Sequence, residues 1–199
     1  MLFTAIAIIA VTAGFTAPAR AGLIFSGPAS YCDPTMTQPF LPWGDDATYA
    51  LTPGGSFESG TPGWSLSGGA RVASGNEPYY VHSRSDKQSL SLPAGSSATS
   101  PTMCFAAGDW HLRLFAVSSG ATSGLKVTVL VRSLCGVLSL LDGGTVGPSG
   151  TWQPSKQLAL TLTNLTSIAT SAISLRFTPV GSSGAWQVDD VYLDPYKIT

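Results

Sequence analysis

Between residues 125 and 131 apolar side chains fall on every second position. Leu125, Val127, Val129 and Val131 alternate with Lys126, Thr128 and Leu130. Ile173, Leu175 and Phe177 repeat the pattern, with Ser174 and Arg176 between them. A period of two sends alternate side chains to opposite faces of an extended strand, so one face is buried and the other is not. The same texture recurs in short runs along the chain. Candidate strands cover 48–52, 64–68, 70–74, 79–83, 88–93, 97–105, 110–118, 125–133, 136–143, 157–163, 172–180 and 186–194. Clusters of Gly, Ser and Pro separate them, which is the chemistry of turns. No long helical period appears; 162–173 has room for one turn of helix, and its Ser and Thr content argues against more. Ten or so antiparallel strands on roughly 150 residues read as an all-β fold, a jelly-roll β-sandwich.

The first residues have another texture. Residues 2–15 are almost wholly apolar and are followed by Ala19-Arg20-Ala21. The run is too short to cross a bilayer comfortably and has the length of a signal h-region before a small-x-small cleavage site. Residues 1–21 therefore read as a secretory signal peptide cut before Gly22. No Lys or Arg precedes the run, which keeps an uncleaved anchor as the alternative. Residues 22–46, rich in Pro, Gly and aromatics, read as an arm laid across the domain, and 47–199 as the sandwich. The expected location is extracellular, with no stable membrane span once the signal is removed.

Export gives the three cysteines a meaning, because disulfides persist in oxidising compartments. Cys135 lies in an apolar strand region, where a lone thiol packs as a small hydrophobe. Cys32 sits in the arm and Cys104 at the start of a candidate strand, so the expected bridge is Cys32–Cys104, tethering the arm. Charged residues make up 11% of the chain and the net charge is −1. A nucleic-acid partner would require a basic face, and a peripheral membrane binder a polybasic patch; the chain has neither. A surface of Ser, Thr, Gly and Asn with aromatics suits uncharged, hydroxyl-rich ligands.

Catalytic signatures are missing. A glycosidase needs two carboxylates across a cleft; the chain has only Glu58, Glu77 and nine aspartates, and the best placed of these are taken by the expected metal site. "SGATSG" and "GSSGA" do not have the spacing of a serine nucleophile elbow. The two histidines, His82 and His111, lack zinc-type spacing, and no phosphate- or dinucleotide-binding glycine motif occurs. The chain reads as a non-enzyme.

Two segments carry a resemblance. "PGGSFESGTPGWSLSG" (53–68) opens the sandwich, and "WQVDDVYLDP" (186–195) closes it. With Phe57, Glu58 and Trp64 in the first, and Val188, Asp189, Asp190, Val191 and Leu193 in the second, the chain resembles the galactose-binding-like jelly rolls. These include many carbohydrate-binding modules of secreted bacterial proteins. More narrowly it is similar to a group of exported actinobacterial proteins of the same layout. The resemblance covers about 47–196 and implies a jelly roll with a structural Ca²⁺ held by Glu58, Asp190 and, with them, Asp189. An all-oxygen set suits that ion, and a dication would offset neighbouring carboxylates.

The acidic pair also poses a problem of phase. Val188 is an even position, whereas Val191 and Leu193 are odd, so one regular strand cannot bury all three on one face. Either the strand is buried on both sides or it bulges at Asp189-Asp190. Without a metal, Asp189 would face solvent, and Asp190 would accept backbone N–H groups or pair with Arg176 or Arg71.

Sugar recognition calls for flat aromatic faces beside hydrogen-bonding groups. The densest such stretch is "SGNEPYYVHSRSD" (74–86), with Asn76, Glu77, Tyr79, Tyr80, His82 and Arg84; Trp152 in a Gly/Pro-rich loop adds another ring. His111 and Arg113 share a strand face opposite Trp110, Leu112 and Leu114 and are expected to line a shallow surface. The function expected is non-catalytic binding of a carbohydrate or cell-surface glycan; the alternative is a structural or adhesive extracellular protein that binds another protein.

Overall fold

The computed structural model describes residues 34–104, 109–133, 138–161 and 170–194. Two antiparallel sheets meet face to face and give the alternating strands the shared core their pattern requires. The strands, in chain order, are β1 (Met36–Thr37), β2 (Tyr49–Leu51), β3 (Ser65–Ser67), β4 (Arg71–Ser74), β5 (Gln88–Pro93), β6 (Ser97–Thr99) and β7 (Met103–Cys104). They continue as β8 (Asp109–Ser119), β9 (Gly124–Ser133), β10 (Leu138–Val146), β11 (Gln153–Pro154), β12 (Leu158–Thr161), β13 (Thr170–Val180) and β14 (Ala185–Asp194).

The last strand lies in the middle of the first sheet. One edge of β14 pairs with β8, and β8 carries β11 and β12 beyond it. The other edge of β14 pairs first with β5, which carries β4, and then with β2, which carries β1. The second sheet runs β10-β9-β13-β6-β3, with β7 also on β13. Between the sheets lie Leu90, Leu92, Leu112, Leu114, Val127, Val129, Leu175 and Phe177, all fully buried. Each contributes about 1.5–3 kcal/mol by leaving water. Trp64, Trp110 and Trp186 are buried in this same core.

Two sequence readings change here. The stretch 97–105 does not form one strand but splits into β6 and β7, because Ser100 leaves the ladder. Its N–H donates to the Leu175 carbonyl, and its Oγ accepts the Leu175 N–H. Pro101, which follows, has no N–H to contribute. The expected strand 79–83 is a loop, with Tyr80 in the left-handed region at φ 53°. The cause is Glu77, whose carboxylate takes the N–H groups of Tyr79 and Val81 away from any sheet.

Of the arm, residues 34–46 are described; they pack on the first sheet and form elements of their own, β1 and a 3-10 turn at Leu41–Trp43. Its Phe40 is fully buried against the outer face of the first sheet, with Tyr49, Phe115 and Tyr192. The Phe40 and Phe115 rings stack at 5.4 Å, and Tyr49 and Tyr192 meet Phe40 edge-on at 5.1 and 5.6 Å. Arg113 sits 4.1 Å from the Phe40 ring centre and pairs with Asp45 at 2.6 Å. The open surface expected at His111 and Arg113 is therefore absent: both are buried, and the arm covers Arg113. Cys104 is disulfide-bonded, whereas Cys32, its expected partner, lies outside the described residues. So do the signal segment 1–21 and most of 162–173. Among the described residues, no helix is long and apolar enough to cross a membrane.

Because Phe40 anchors the arm, Phe40→Ala should lower the unfolding free energy by about 3 kcal/mol in a denaturant titration. Leu41→Ala, at a side chain that is 53% exposed, should change it by less than about 0.5 kcal/mol. Equal effects of the two would contradict this role of the arm.

Candidate functional site

The site is organised by an irregularity in β14. Asp189 stands opposite Phe115 and Tyr192 opposite Arg113, so Asp190 and Val191 together face the single residue Leu114. That is a β-bulge, with Asp190 in the left-handed region at φ 46°. The bulge resolves the conflict of phase: Val188, Val191 and Leu193 all enter the core between the sheets. Tyr192 turns to the arm side.

At the bulge, neighbouring loops replace the missing strand partner. The last β5 partner on this edge is Leu90, opposite Val188, and the first β2 partner is Leu51, opposite Tyr192. In the gap, Thr52 donates its N–H to the Val191 carbonyl at 2.8 Å, and Val191 donates to Gly55 at 3.1 Å. The loop 75–87 docks on the carboxylates. The Glu77 N–H donates to Asp189 Oδ2 and the His82 N–H to Asp190 Oδ2, both at 3.1 Å. The Asp190 N–H donates to Asp189 Oδ1 at 2.9 Å.

The candidate ligand residues of this loop fall into two groups. Glu77 is fully buried, accepting from Tyr79 at 2.5 Å and from Val81 at 2.6 Å. It fixes the loop from within and does not reach the surface, so its expected contact with a ligand is corrected. Asn76 is half-buried and donates to the Glu77 carbonyl. Tyr79 and Tyr80 are exposed, at 42% and 48%, as are His82 and Arg84. The Tyr79 hydroxyl donates to the Trp152 carbonyl at 3.1 Å, and its ring meets Trp43 edge-on at 5.0 Å. Trp152 is half-buried against the arm cluster. Trp43 was not singled out by sequence; its only signal is an aromatic in a Pro-rich arm. A groove of about 540 Å³ opens where the arm meets β2, β14 and this loop. It is lined by Thr37, Gln38 and Pro39 of the arm, by Leu51 and Tyr192, and by Val81 and His82.

Beneath the loop lies a cluster of acids. Asp189 and Asp190 are buried, at 0% and 1% exposure, so the expected solvent-facing Asp189 is not found. Neither aspartate pairs with Arg176 or Arg71: Arg176 donates to Thr99, and Arg71 to the Gly69 carbonyl. Burial, then repulsion from Asp190, pushes Asp189 up to about 9; burial, then repulsion from Glu77, pushes Asp190 up to about 7. Burial also raises Glu77. Both Asp189 oxygens accept backbone N–H groups, which favours its ionised form, whereas Asp190 Oδ1 has no partner among the described residues. Burial and repulsion from neighbouring acids thus keep protons on the two carboxyls above the usual carboxylate range, and the two titrate as a coupled pair.

The three carboxylates expected to hold calcium do not assemble. Glu58 Oε1 accepts the N–H groups of Lys87 and Gln88, at 2.8 and 2.6 Å, and Asp189 is occupied as described. Among the described residues, the group whose ligand atoms do converge, all within 4.8 Å, is His82, Asp86 and Asp190. Of the sequence-derived set it keeps only Asp190. Asp86 went unnoticed because its relation to His82, four residues away, exists only once the loop is folded.

Two antiparallel sheets with this strand order decide the architecture. The chain has the jelly-roll fold of the carbohydrate-binding modules. The CBM22-1 xylan-binding domain of Paenibacillus barcinonensis Xyn10C is similar at a TM-score of 0.51 and 18% identity, over 72% of this chain and 93% of that one. The CBM22-1–GH10 modules of Clostridium thermocellum xylanase 10B, complexed with xylohexaose, match at 0.50 and 15%, over 68% of this chain and 26% of that one. The enzymatically active domain of tailspike protein 4 from bacteriophage CBA120 matches at 0.52 and 14%, over 73% and 21%. No protein-family profile and no curated protein matches the sequence.

The raised acids give the site a signature in pH. An acid whose folded pKa exceeds its unfolded value near 4 binds more protons when folded, so stability falls as pH rises between the two. For Asp190 the loss is absent below about pH 4 and complete above about 7; for Asp189 it extends to about 9. In metal-free protein the unfolding free energy should thus decline from about pH 4 to about pH 9, and less steeply in Asp190→Asn. A rise across that window would contradict the raised pKa values of the two aspartates.

Proposed function

We propose that the chain is a non-catalytic binding module for carbohydrate, exported from the cell, with its ligand lying across Tyr79 and Tyr80. The observation that carries this reading is the pair of exposed, adjacent rings on a loop whose backbone is fixed from inside by Glu77. Aromatic faces pack on the C–H faces of sugar rings, and a rigid presenting loop loses little entropy when a ligand arrives. Trp43 meets the Tyr79 ring edge-on, while His82, which lines the groove, and Arg84, exposed on the same loop, offer polar partners for hydroxyls. A chain with only 11% charged residues matches a neutral ligand. The fold supports the reading, and the xylan-binding domain and the xylohexaose complex among its neighbours suggest the first probes. The signal-like N-terminus and the disulfide at Cys104 support export.

Affinity electrophoresis through gels containing xylan and other neutral polysaccharides tests the proposal. At least one polysaccharide should retard the protein. Tyr79→Ala and Tyr80→Ala should each weaken that binding about 5- to 10-fold, equivalent to about 1 kcal/mol of stacking. Undiminished binding in both variants, or retardation by none of the panel, would refute it.

A further inference from the structure

We propose that His82, Asp86 and Asp190 hold a divalent cation of the zinc class, which clamps the loop 75–87 to the bulge of β14. Their ligand atoms lie within 4.8 Å of one another, and His82 Nδ1 is 2.6 Å from Asp86 Oδ2. An ion bonded at about 2.0–2.2 Å to each ligand of a tetrahedral shell holds those ligands about 3.3 Å apart, so small side-chain movements complete the site. A second observation points to a ligand independently. Asp190 is 1% exposed, its Oδ2 takes the His82 N–H, and its Oδ1 is buried with no hydrogen-bond partner among the described residues. A buried carboxylate oxygen left bare is costly, and a cation is the partner that removes the cost.

The surrounding charge agrees. Glu77, Asp86, Asp189 and Asp190 are all buried, and among the described residues no Lys or Arg forms an ion pair with any of them. The imidazole decides the class of ion. Calcium takes six to eight oxygens, whereas zinc-class ions accept imidazole nitrogen together with carboxylate oxygen in a shell of four. Three side chains leave one position of a shell of four for water.

The test uses the full chain, stripped with a chelator and titrated with ZnCl2 or CaCl2 alone. Calorimetry should show one equivalent of zinc bound, and zinc should raise the melting temperature by several degrees. Cobalt(II) should give visible ligand-field absorption that is lost in His82→Ala. His82→Ala removes a side chain that is 39% exposed, so the fold is expected to survive, and Asp190→Asn keeps the shape of the residue. Each variant should weaken zinc binding at least about 100-fold. No stoichiometric zinc, zinc affinity undiminished in His82→Ala, or calcium bound in preference to zinc would each overturn the proposal. Polysaccharide retention is not a readout here, so either proposal can fail alone.

Discussion

One extra residue in the central strand governs this molecule. Without the bulge, Val188 could share the core with neither Val191 nor Leu193, since strand side chains alternate strictly. With it, all three are buried and Tyr192 turns to the arm. The left-handed backbone of Asp190 is the local cost, of order 1–3 kcal/mol for a non-glycine residue. The carboxylates at the bulge then become the anchors of a loop more than 100 residues earlier in the chain. Strand, loop and the exposed tyrosines are thus parts of one arrangement.

The arm settles which surface is available. A jelly roll has two outer faces, and on the first sheet the arm seals part of one with Phe40, held by stacked and edge-on rings and by Arg113. Arg113 is tied three ways: to Asp45, to the Ser155 carbonyl and to the Phe40 ring. Such a buried, multiply bonded guanidinium is structural, and strongly destabilising to disrupt. Where arm and loop meet, the Trp43 and Tyr79 rings come together, and the arm and the loop share in lining a groove.

Much of this was legible in the sequence because it follows from period-two patterning, which acts locally. The strands β5, β8, β9, β13 and β14 lie within two residues of the positions their alternation implies. The bulge was one of two outcomes left by the mismatch of Val188 with Val191. The misreadings involve partners distant in sequence. Tyr79-Tyr80-Val81 has the β-prone composition of a strand, and only the buried carboxylate of Glu77 turns it into a loop. His111 and Arg113 alternate as an exposed face should, and it is the arm, some 70 residues earlier, together with Ser155 that encloses Arg113. The convergence of His82 with Asp86 and Asp190 likewise requires the bulge to be in place.

Loop 75–87 is a rigid element held by carboxylates and not a mobile connection. Native-state hydrogen exchange, read residue by residue by NMR, addresses it directly, because protection reports the free energy of local opening. The amides of Glu77, Val81 and His82, which donate to Asp189, Glu77 and Asp190, should exchange about as slowly as those of β5. Exchange of these amides at the rate of an unstructured loop would contradict the account.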